Sequence, residues 1–187
     1  MFNLPKEIII WDSEFTSWSG TDERGWTGSD EIKELVQIGA VRVKTADWTK
    51  LSSFEVLIRP VVNPILSDYF IKLTGISQAE IDKNGTPFKN AYQMFFDWVG
   101  SANLYSWNLC DYWALAETCK LNNMVLPIKR NRFFDMRMVF WKAGILAENY
   151  HSGTITEAFG QKSKYQRHKA INDAQTILDG LRLLSRR

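Results

Sequence analysis

Two acidic residues end an otherwise apolar segment near the start of the chain. Asp12 and Glu14 lie two residues apart in the run EIIIWDSE, residues 7–14. Side chains alternate between the two faces of a β-strand, so this spacing puts both carboxylates on one face. Adjacent carboxylates repel each other, and a divalent cation neutralises them most directly. The pair therefore predicts a metal site, although an exposed strand end is the simpler explanation when the pair is taken alone.

Three further residues in the second half of the chain could join such a site. Asp111 follows NLYSW, a short strand candidate at residues 103–107, and His168 and Asp173 occur together in the segment HKAINDA. Each has a simple structural explanation, because an acid is stabilised at a helix N-terminus and a histidine before a helix can be a surface residue. Only the five residues together favour catalysis or metal binding.

The elements that must position these residues begin with three predicted strands. Residues 7–14, 35–43 and 51–59 are short apolar runs, and residues 44–50 predict a hairpin between the last two. The polar segment Thr16–Asp30 contains three glycines and predicts a mobile surface loop. The run 51–59 would be an apolar edge strand, which leaves a homodimer open.

Helical periodicity follows after residue 64. Thr86 and Pro87 predict a helix start, with Thr86 as the cap and Pro87 in the first turn, and the apolar stripe ends near Gly100.

The last third of the chain also predicts helices. They are expected at 111–121 and 170–184, and Thr154–Glu157 has the form of a capping box. No repeat or long polar linker divides the chain, so strands followed by alternating strands and helices predict one α/β domain over residues 1–187.

The charge of the chain is nearly balanced in total but not along its length. The 187 residues include 23 Lys and Arg and 21 Asp and Glu, a net charge of +2. Residues 120–187 carry 13 basic and 5 acidic side chains, whereas residues 1–60 carry 7 and 10. A basic C-terminal third could form a positive surface for a polyanion, although a solvated face explains the asymmetry as well.

Composition excludes several classes of protein. With 45% hydrophobic and 24% charged residues, the chain is neither wholly disordered nor of a collagen-like or low-complexity type. It has no run of about 18 apolar residues and no signal-like start, so neither a membrane span nor secretion is expected. Cys110 and Cys119 indicate reduced thiols of an intracellular, cytoplasmic protein rather than a disulfide framework.

The five candidate residues and their neighbours resemble one known family. Asp-x-Glu on a first strand, Asp after a later strand and His-x-x-x-x-Asp at the last helix are similar, in order and spacing, to the motifs of DEDDh exonucleases in the ribonuclease H-like superfamily. LVQIGAV at 35–41 resembles the second strand of this family. Two further stretches resemble its subgroup of ERI-1-like RNA exonucleases and bacterial KapD-type proteins: NPILSDYFIKLTGIS at 63–77 and YSWNLCDYWAL at 105–115. The resemblance covers about residues 7–184 and implies a central mixed β-sheet flanked by α-helices.

This resemblance implies a 3′–5′ exonuclease that uses two divalent cations, Mg²⁺ or Mn²⁺, to release 5′ nucleoside monophosphates. Asp12 would bridge both ions, Glu14 and Asp173 would complete the first site, and Asp111 would support the second. Oxygen ligands suit these ions, and the absence of a Cys/His cluster argues against zinc. His168 would be the general base, lying before the last helix on a segment that can move.

The implied substrate is single-stranded RNA or DNA with a free 3′ end, RNA being preferred, and residues near the motifs are candidates for binding it. They are the following six: Phe15, Thr16, Trp18, Tyr112, Arg167 and Lys169. Aromatic rings can stack on bases, and basic side chains, Lys162 and Lys164 included, can follow phosphates. Core packing and a solvated face are the alternatives.

The alternative function is a nucleic-acid or protein interaction module that keeps the fold without turnover. Loss of one carboxylate would favour it, but all five residues are present. The segment Asn108–Cys110 departs from the family, whose members more often have Gly and a further acid there, so the local turn and the grip on substrate could differ.

Overall fold

The computed structural model describes residues 4–29 and 31–187. Met1–Asn3, at the start of the predicted domain, and Asp30, at the end of the predicted loop, lie outside the described residues. The strands are β1 (Glu7–Phe15), β2 (Leu35–Lys44), β3 (Thr49–Arg59), β4 (Thr86–Pro87), β5 (Asn103–Ser106) and β6 (Phe133–Asp135). They form one mixed sheet in the order β4-β3-β2-β1-β5-β6.

Helices cover both faces of this sheet, as the α/β prediction requires. The α-helices are α1 (Thr21–Arg24), α2 (Asp68–Thr74), α3 (Gln78–Asn84), α4 (Phe88–Val99), α5 (Cys110–Leu121), α6 (Arg137–Lys142) and α7 (Ala170–Leu184). The 3-10 helices are Arg130–Arg132, Ala147–Asn149 and Ser152–Phe159. No helix in the described part of the chain combines the length and apolarity that crossing a membrane would need.

The strand β1 lies in the middle of the sheet, antiparallel to β2 and parallel to β5. Ile8 and Ile10 pack in a core with α6 and α7, whereas Ile9 packs on the other face with α4 and α5. Asp12 and Glu14 continue the alternation of Ile8 and Ile10, so both lie on the α7 face. Burial of β1 on both faces explains why its apolar run is continuous.

The helix α7 approaches the sheet closely at a glycine. Gly39 of β2 pairs with Asp12 of β1. A Cβ atom at Gly39 would lie 2.0 Å from the backbone nitrogen of Ile171, so no other residue fits beneath the helix. The absence of a side chain in β2 therefore sets how close α7 comes to Asp12.

A buried glutamine holds the start of the same helix. The side-chain oxygen of Gln37 accepts the backbone N–H of Ala170 at 3.0 Å, and its amide nitrogen donates to Glu55 at 3.0 Å. The first N–H groups of a helix have no partner within it, and Gln37 supplies one from the sheet. The close approach of α7 at Gly39 and the hydrogen bond from Ala170 to Gln37 together fix the position of Asp173 in the first turn of α7.

Several predicted elements differ in detail from the structure. Thr86 and Pro87 do not begin a helix, because they pair with Ile58 and Arg59 as β4, and α4 begins at Phe88. This pairing covers only the end of β3.

The predicted capping box and loop also need correction. The 3-10 helix already begins at Ser152, and the hydroxyl of Thr154 accepts the backbone N–H of His151 at 2.9 Å from inside the helix. The segment predicted as a loop, Thr16–Asp30, contains α1. Cys110 and Cys119 are free thiols, as predicted.

Candidate active site

A cleft of about 210 Å³ opens at the end of β1, where α5 and α7 begin. Its walls include all five residues singled out from the sequence: Asp12, Glu14, Asp111, His168 and Asp173. The fold thus brings together side chains from the first strand, the middle of the chain and the last helix.

Four carboxylates are buried against one another in this cleft. Asp12, Glu14, Asp111 and Asp173 are 7%, 8%, 5% and 4% exposed. Burial, followed by repulsion from the neighbouring acids, raises the pKa of Asp12 and of Glu14 well above the ordinary values. Burial also raises the pKa of Asp111 and of Asp173 to about 6 each. The cluster therefore resists full ionisation unless positive charge is supplied.

Asp111 is held in place by the strand that carries the first two acids. Both the backbone N–H and the hydroxyl of Ser13 donate to its Oδ1 at 2.8 Å. These two bonds favour the ionised carboxylate and oppose the effect of burial on its pKa.

The turn before Asp111 has the left-handed conformation that glycine adopts most easily. Asn108 and Leu109 have φ values of 57° and 66°. The side chain of Asn108 accepts the N–H of Cys110 at 3.0 Å, and Asp135 accepts the N–H of Asn108 at 3.2 Å. These contacts support the left-handed turn, although neither residue is a glycine.

Asp173 carries a carboxylate oxygen that has no protein partner in the described part of the chain. Its Oδ2 accepts the backbone N–H of His168 at 3.3 Å and the hydroxyl of Ser152 at 3.4 Å, whereas its Oδ1 is buried and unpaired among the described residues. A Cβ at Gly153 would lie 2.7 Å from Oδ1, so a glycine leaves room for this oxygen. A buried unpaired oxygen beside other carboxylates fits a bound cation.

His168 lies two residues before α7, as its spacing from Asp173 predicts. It is half-buried with φ 56°, and ligand atoms of Glu14, His168 and Asp173 lie within 4.8 Å of one another. Burial, together with the charges of Arg167 and His151, lowers the pKa of His168. The imidazole is therefore neutral at pH 7 and free to accept a proton or bind a cation.

The chemistry of this donor set fits hard divalent cations. Its four buried carboxylates offer oxygen ligands, which Mg²⁺ and Mn²⁺ prefer, and their mutual repulsion is relieved by positive charge. Asp12, Glu14, Asp111 and Asp173 are the residues that would hold such ions.

Among the predicted substrate-binding residues, Phe15 lines the cleft. The structure places Thr16 and Trp18 elsewhere. The buried hydroxyl of Thr16 donates to the carbonyl of Ile32 at 2.6 Å and accepts the N–H of Glu34 at 2.9 Å, so it closes the neighbouring loop.

Tyr112, Arg167 and Lys169 also lie outside the cleft lining. The rings of Tyr112 and Phe133 pack together with their centroids 4.8 Å apart. The guanidinium of Arg130 lies 4.5 Å from the centroid of the Tyr112 ring. Arg167 is exposed beside His168, and Lys169 lines a separate depression. Nearness to a motif does not decide which ring lines the cleft, because Phe15 does so whereas Trp18 and Tyr112 do not.

Aromatic and apolar residues not predicted from the sequence complete the cleft walls. They are Trp26, Tyr69, Leu73 and Trp107. The ring centroids of Trp26 and Phe15 are 5.9 Å apart, and the ammonium of Lys33 lies 3.9 Å from the Trp26 centroid. Tyr69 and Leu73 are four residues apart on α2 and share a helix face, a spacing that could have revealed them.

Comparison with known proteins identifies the family. The model of the RNase_T family, described as Exonuclease, matches residues 9–181. The chain belongs to this exonuclease family. Membership implies bound divalent metal ions.

Relatives of known name agree with this assignment. Human ERI1 exoribonuclease 2 is 24% identical over 192 residues, which cover 90% of this chain and 27% of the human protein. The fruit-fly (Drosophila melanogaster) 3′-5′ exonuclease Snipper is 24% identical over 196 residues, which cover 91% of this chain and 66% of the fly protein. The chain thus spans only part of the length of these relatives.

Solved structures confirm the predicted ribonuclease H-like exonuclease fold. The nuclease domain of 3′hExo, a DEDDh family member bound to rAMP, superposes with a TM-score of 0.83 at 20% identity, covering 97% of this chain and 92% of that one. E. coli exonuclease I in complex with a dA16 oligonucleotide superposes with a TM-score of 0.71 at 12% identity, covering 98% and 41%.

Proposed function

We propose that residues 1–187 form a single metal-dependent 3′–5′ exonuclease domain that releases 5′ nucleoside monophosphates from single-stranded nucleic acid. The observation that carries this proposal is the convergence of four buried carboxylates and His168 in one cleft. Family membership supports the same reaction, phosphodiester hydrolysis.

The residues proposed to hold two divalent cations, Mg²⁺ or Mn²⁺, are Asp12, Glu14, Asp111 and Asp173. Asp12 is proposed to bridge the ions, Glu14 and Asp173 to complete one site, and Asp111 to support the other. When bound, such ions stabilise the attacking and leaving oxygens of phosphoryl displacement.

His168 is proposed as the general base. Its lowered pKa keeps the imidazole neutral, so a ring nitrogen can accept a proton from the attacking water at neutral pH. Its position before α7 rather than within the helix supports a base that moves into place when substrate and metals are bound.

The proposed substrate is single-stranded RNA, preferred over DNA. Relatives named exoribonucleases and the neighbour bound to rAMP support RNA. Phe15 remains a proposed base contact, now joined by Trp26 and Tyr69, because stacking on rings holds single strands without reading sequence. Arg167 and Lys169 remain proposed phosphate contacts.

The decisive experiment combines Mg²⁺ or Mn²⁺ with RNA and DNA oligomers whose 3′ ends are free or blocked. Stepwise shortening is expected only from a free 3′ end, with loss upon chelation and in Asp12→Asn. Asp97→Asn, which changes an exposed acid on α4, is the matched control and should retain the activity. Oligomer binding without any shortening in either metal would contradict the proposal and favour a non-catalytic interaction module.

Two further predictions concern the cellular location and the oligomeric state of the protein. A cytoplasmic location is proposed from the free thiols, and fractionation tests it. A homodimer would use the part of the β3 edge that β4 does not cover, and sedimentation would detect it.

A further inference from the structure

A second polar depression, of about 300 Å³, lies along the C-terminal half of α7. We call it the basic pocket and define it by Thr156, Lys162, Ser163, Lys164, Asp179, Arg182 and Arg186, which line it. It contains none of the five acidic-cleft residues, and the family assignment gives it no role.

The charge of the basic pocket is opposite to that of the cleft. Four cations line it and Asp179 is its single acid, which gives a local excess of three positive charges. Asp179 is already paired with Lys164 at 3.1 Å and Arg182 at 3.0 Å. Within the described residues, Lys162 and Arg186 have no carboxylate partner. The pocket therefore carries a larger positive charge than the whole chain, whose net charge is only +2.

One hydroxyl adds a neutral donor to these cations. The hydroxyls of Ser163 and Thr176, 2.9 Å apart in the pocket wall, are already engaged, because that of Thr176 donates to the carbonyl of Asn172 at 3.0 Å and that of Ser163 bonds to Thr176. The hydroxyl of Thr156, also in the wall, is buried without a partner among the described residues. Two cations without a carboxylate partner and one unpaired hydroxyl, among the described residues, suit a phosphate group, which accepts several hydrogen bonds.

The same three segments form walls of both the cleft and the basic pocket. The 3-10 helix supplies Ser152 to the cleft and Thr156 to the pocket, and the segment before α7 supplies His168 and Lys162. Along α7, Asp179 follows Asp173 by six residues, an axial rise of about 9 Å at roughly 1.5 Å per residue, with the two side chains pointing about 120° apart. That length corresponds to about three stacked nucleotides at roughly 3.4 Å each.

We propose that the basic pocket binds a backbone phosphate of the nucleic-acid strand, about three or more nucleotides upstream of the 3′ end held in the cleft. The proposal rests on the proposed exonuclease function, because the 3′ end held in the acidic cleft defines which direction along the strand is upstream. It predicts that long oligomers gain an anchor that very short ones cannot reach.

Equilibrium binding tests this site without requiring turnover. Fluorescently labelled RNA of 2 and 10 nucleotides is titrated against the 187-residue chain carrying Asp12→Asn, with Mg²⁺ present. Lys162→Gln with Arg186→Gln is compared with a control pair, Lys89→Gln with Lys120→Gln, which removes two exposed lysines from helices on the opposite face of the sheet. Thermal unfolding of each variant checks the fold.

The pocket variant should bind the 10-mer about tenfold more weakly, the loss expected for one charge-assisted phosphate contact. The slope of log affinity against log salt should fall by about 0.7, the value for one phosphate of a single strand. The affinity for the 2-nucleotide RNA should be unchanged, and the control pair should bind both RNAs with unchanged affinity.

Other outcomes would overturn the proposal. Three results would each exclude an upstream phosphate site. The pocket variant could bind the 10-mer with unchanged affinity, it could lose equal affinity for the 2-mer and the 10-mer, or the control pair could lose as much affinity as the pocket variant. A free-phosphate site would be identified instead by two results together. Inorganic phosphate would raise the thermal stability of the chain only when the pocket is unsubstituted, and the substitutions would not change the affinity for the 10-mer. Each result is separable from failure of the proposed function, which is detected as absent cleavage by the wild-type chain.

Discussion

The floor and the rim of the cleft are built from different kinds of structure. The floor consists of Asp12, Glu14, Asp111 and Asp173, which lie on β1 and in the first turns of α5 and α7. The rim consists of Trp26 and His168, which lie in connecting segments and both have φ 56°. Groups that must keep a fixed spacing thus lie on regular elements, whereas the two rim residues lie on connecting segments, where ligand contacts are common.

The largest effect expected at the rim comes from His168. His168→Gln should lower kcat by about 10²–10⁴, the range for loss of a general base. The wild-type rate should fall as the pH drops through the lowered pKa of His168, and this acidic limb should disappear in the variant. Rates measured at saturating metal between about pH 5 and about pH 8, the interval in which histidines titrate, provide both quantities.

His151 is the natural control, because it is the other histidine of the cleft. His151→Gln should cause a smaller loss and keep the acidic limb. If His168→Gln retained the wild-type pH profile, the rim would hold no base and the proposed division between floor and rim would fail.

Metal removal tests the floor. The pKa of Asp111 and of Asp173 is about 6 in the fold against an ordinary 3.8, so the folded chain holds protons that the unfolded chain releases. The free energy of unfolding without metal should therefore fall by a few kcal/mol as pH rises from about 4 to 6, and it should stay low at higher pH. Each pKa unit between the folded and the unfolded chain contributes about 1.4 kcal/mol to this fall. Denaturant unfolding with chelator at each pH measures this.

Mg²⁺ or Mn²⁺ should reverse that loss at neutral pH, because the ions stabilise the ionised carboxylates. Asp111→Asn should weaken the pH dependence, whereas Asp97→Asn should leave it intact. A metal-free chain with the same free energy of unfolding at about pH 7.5 as at about pH 4.5 would contradict a floor of strained carboxylates.

The smallest effect is expected from the aromatic part of the rim. Trp26→Ala should raise KM for single-stranded oligomers about tenfold with little change in kcat, since stacking contributes about 1–3 kcal/mol per base. Trp18→Ala is the matched control, because Trp18 does not line the cleft. Equal effects of the two substitutions would remove Trp26 from the proposed contact surface.

The floor was more predictable from the sequence than the rim. The two-residue spacing of Asp12 and Glu14 fixes their common face, and the interval from His168 to Asp173 requires a histidine before α7. Local periodicity is sufficient for such inferences.

The rim depends on contacts that no local pattern contains. The buried carboxylate of Glu34 accepts three backbone N–H groups of residues 61–63, at 2.8–2.9 Å, and so ties the first loop to a distant turn. The hydroxyl of Ser67 likewise donates to the carbonyl of Ser17. These long-range bonds help to position the loop that carries Trp18 and Trp26, so the sequence alone could not indicate which of the two rings lines the cleft.

Gly39 has a consequence for how members of this family are recognised. A sequence that kept all four acids and the histidine but carried a larger residue at this position would still satisfy a search for those five residues. Its last helix would have to move away from β2, and Asp173 would move with it. Searches for inactive relatives should therefore inspect this strand position as well as the acids themselves.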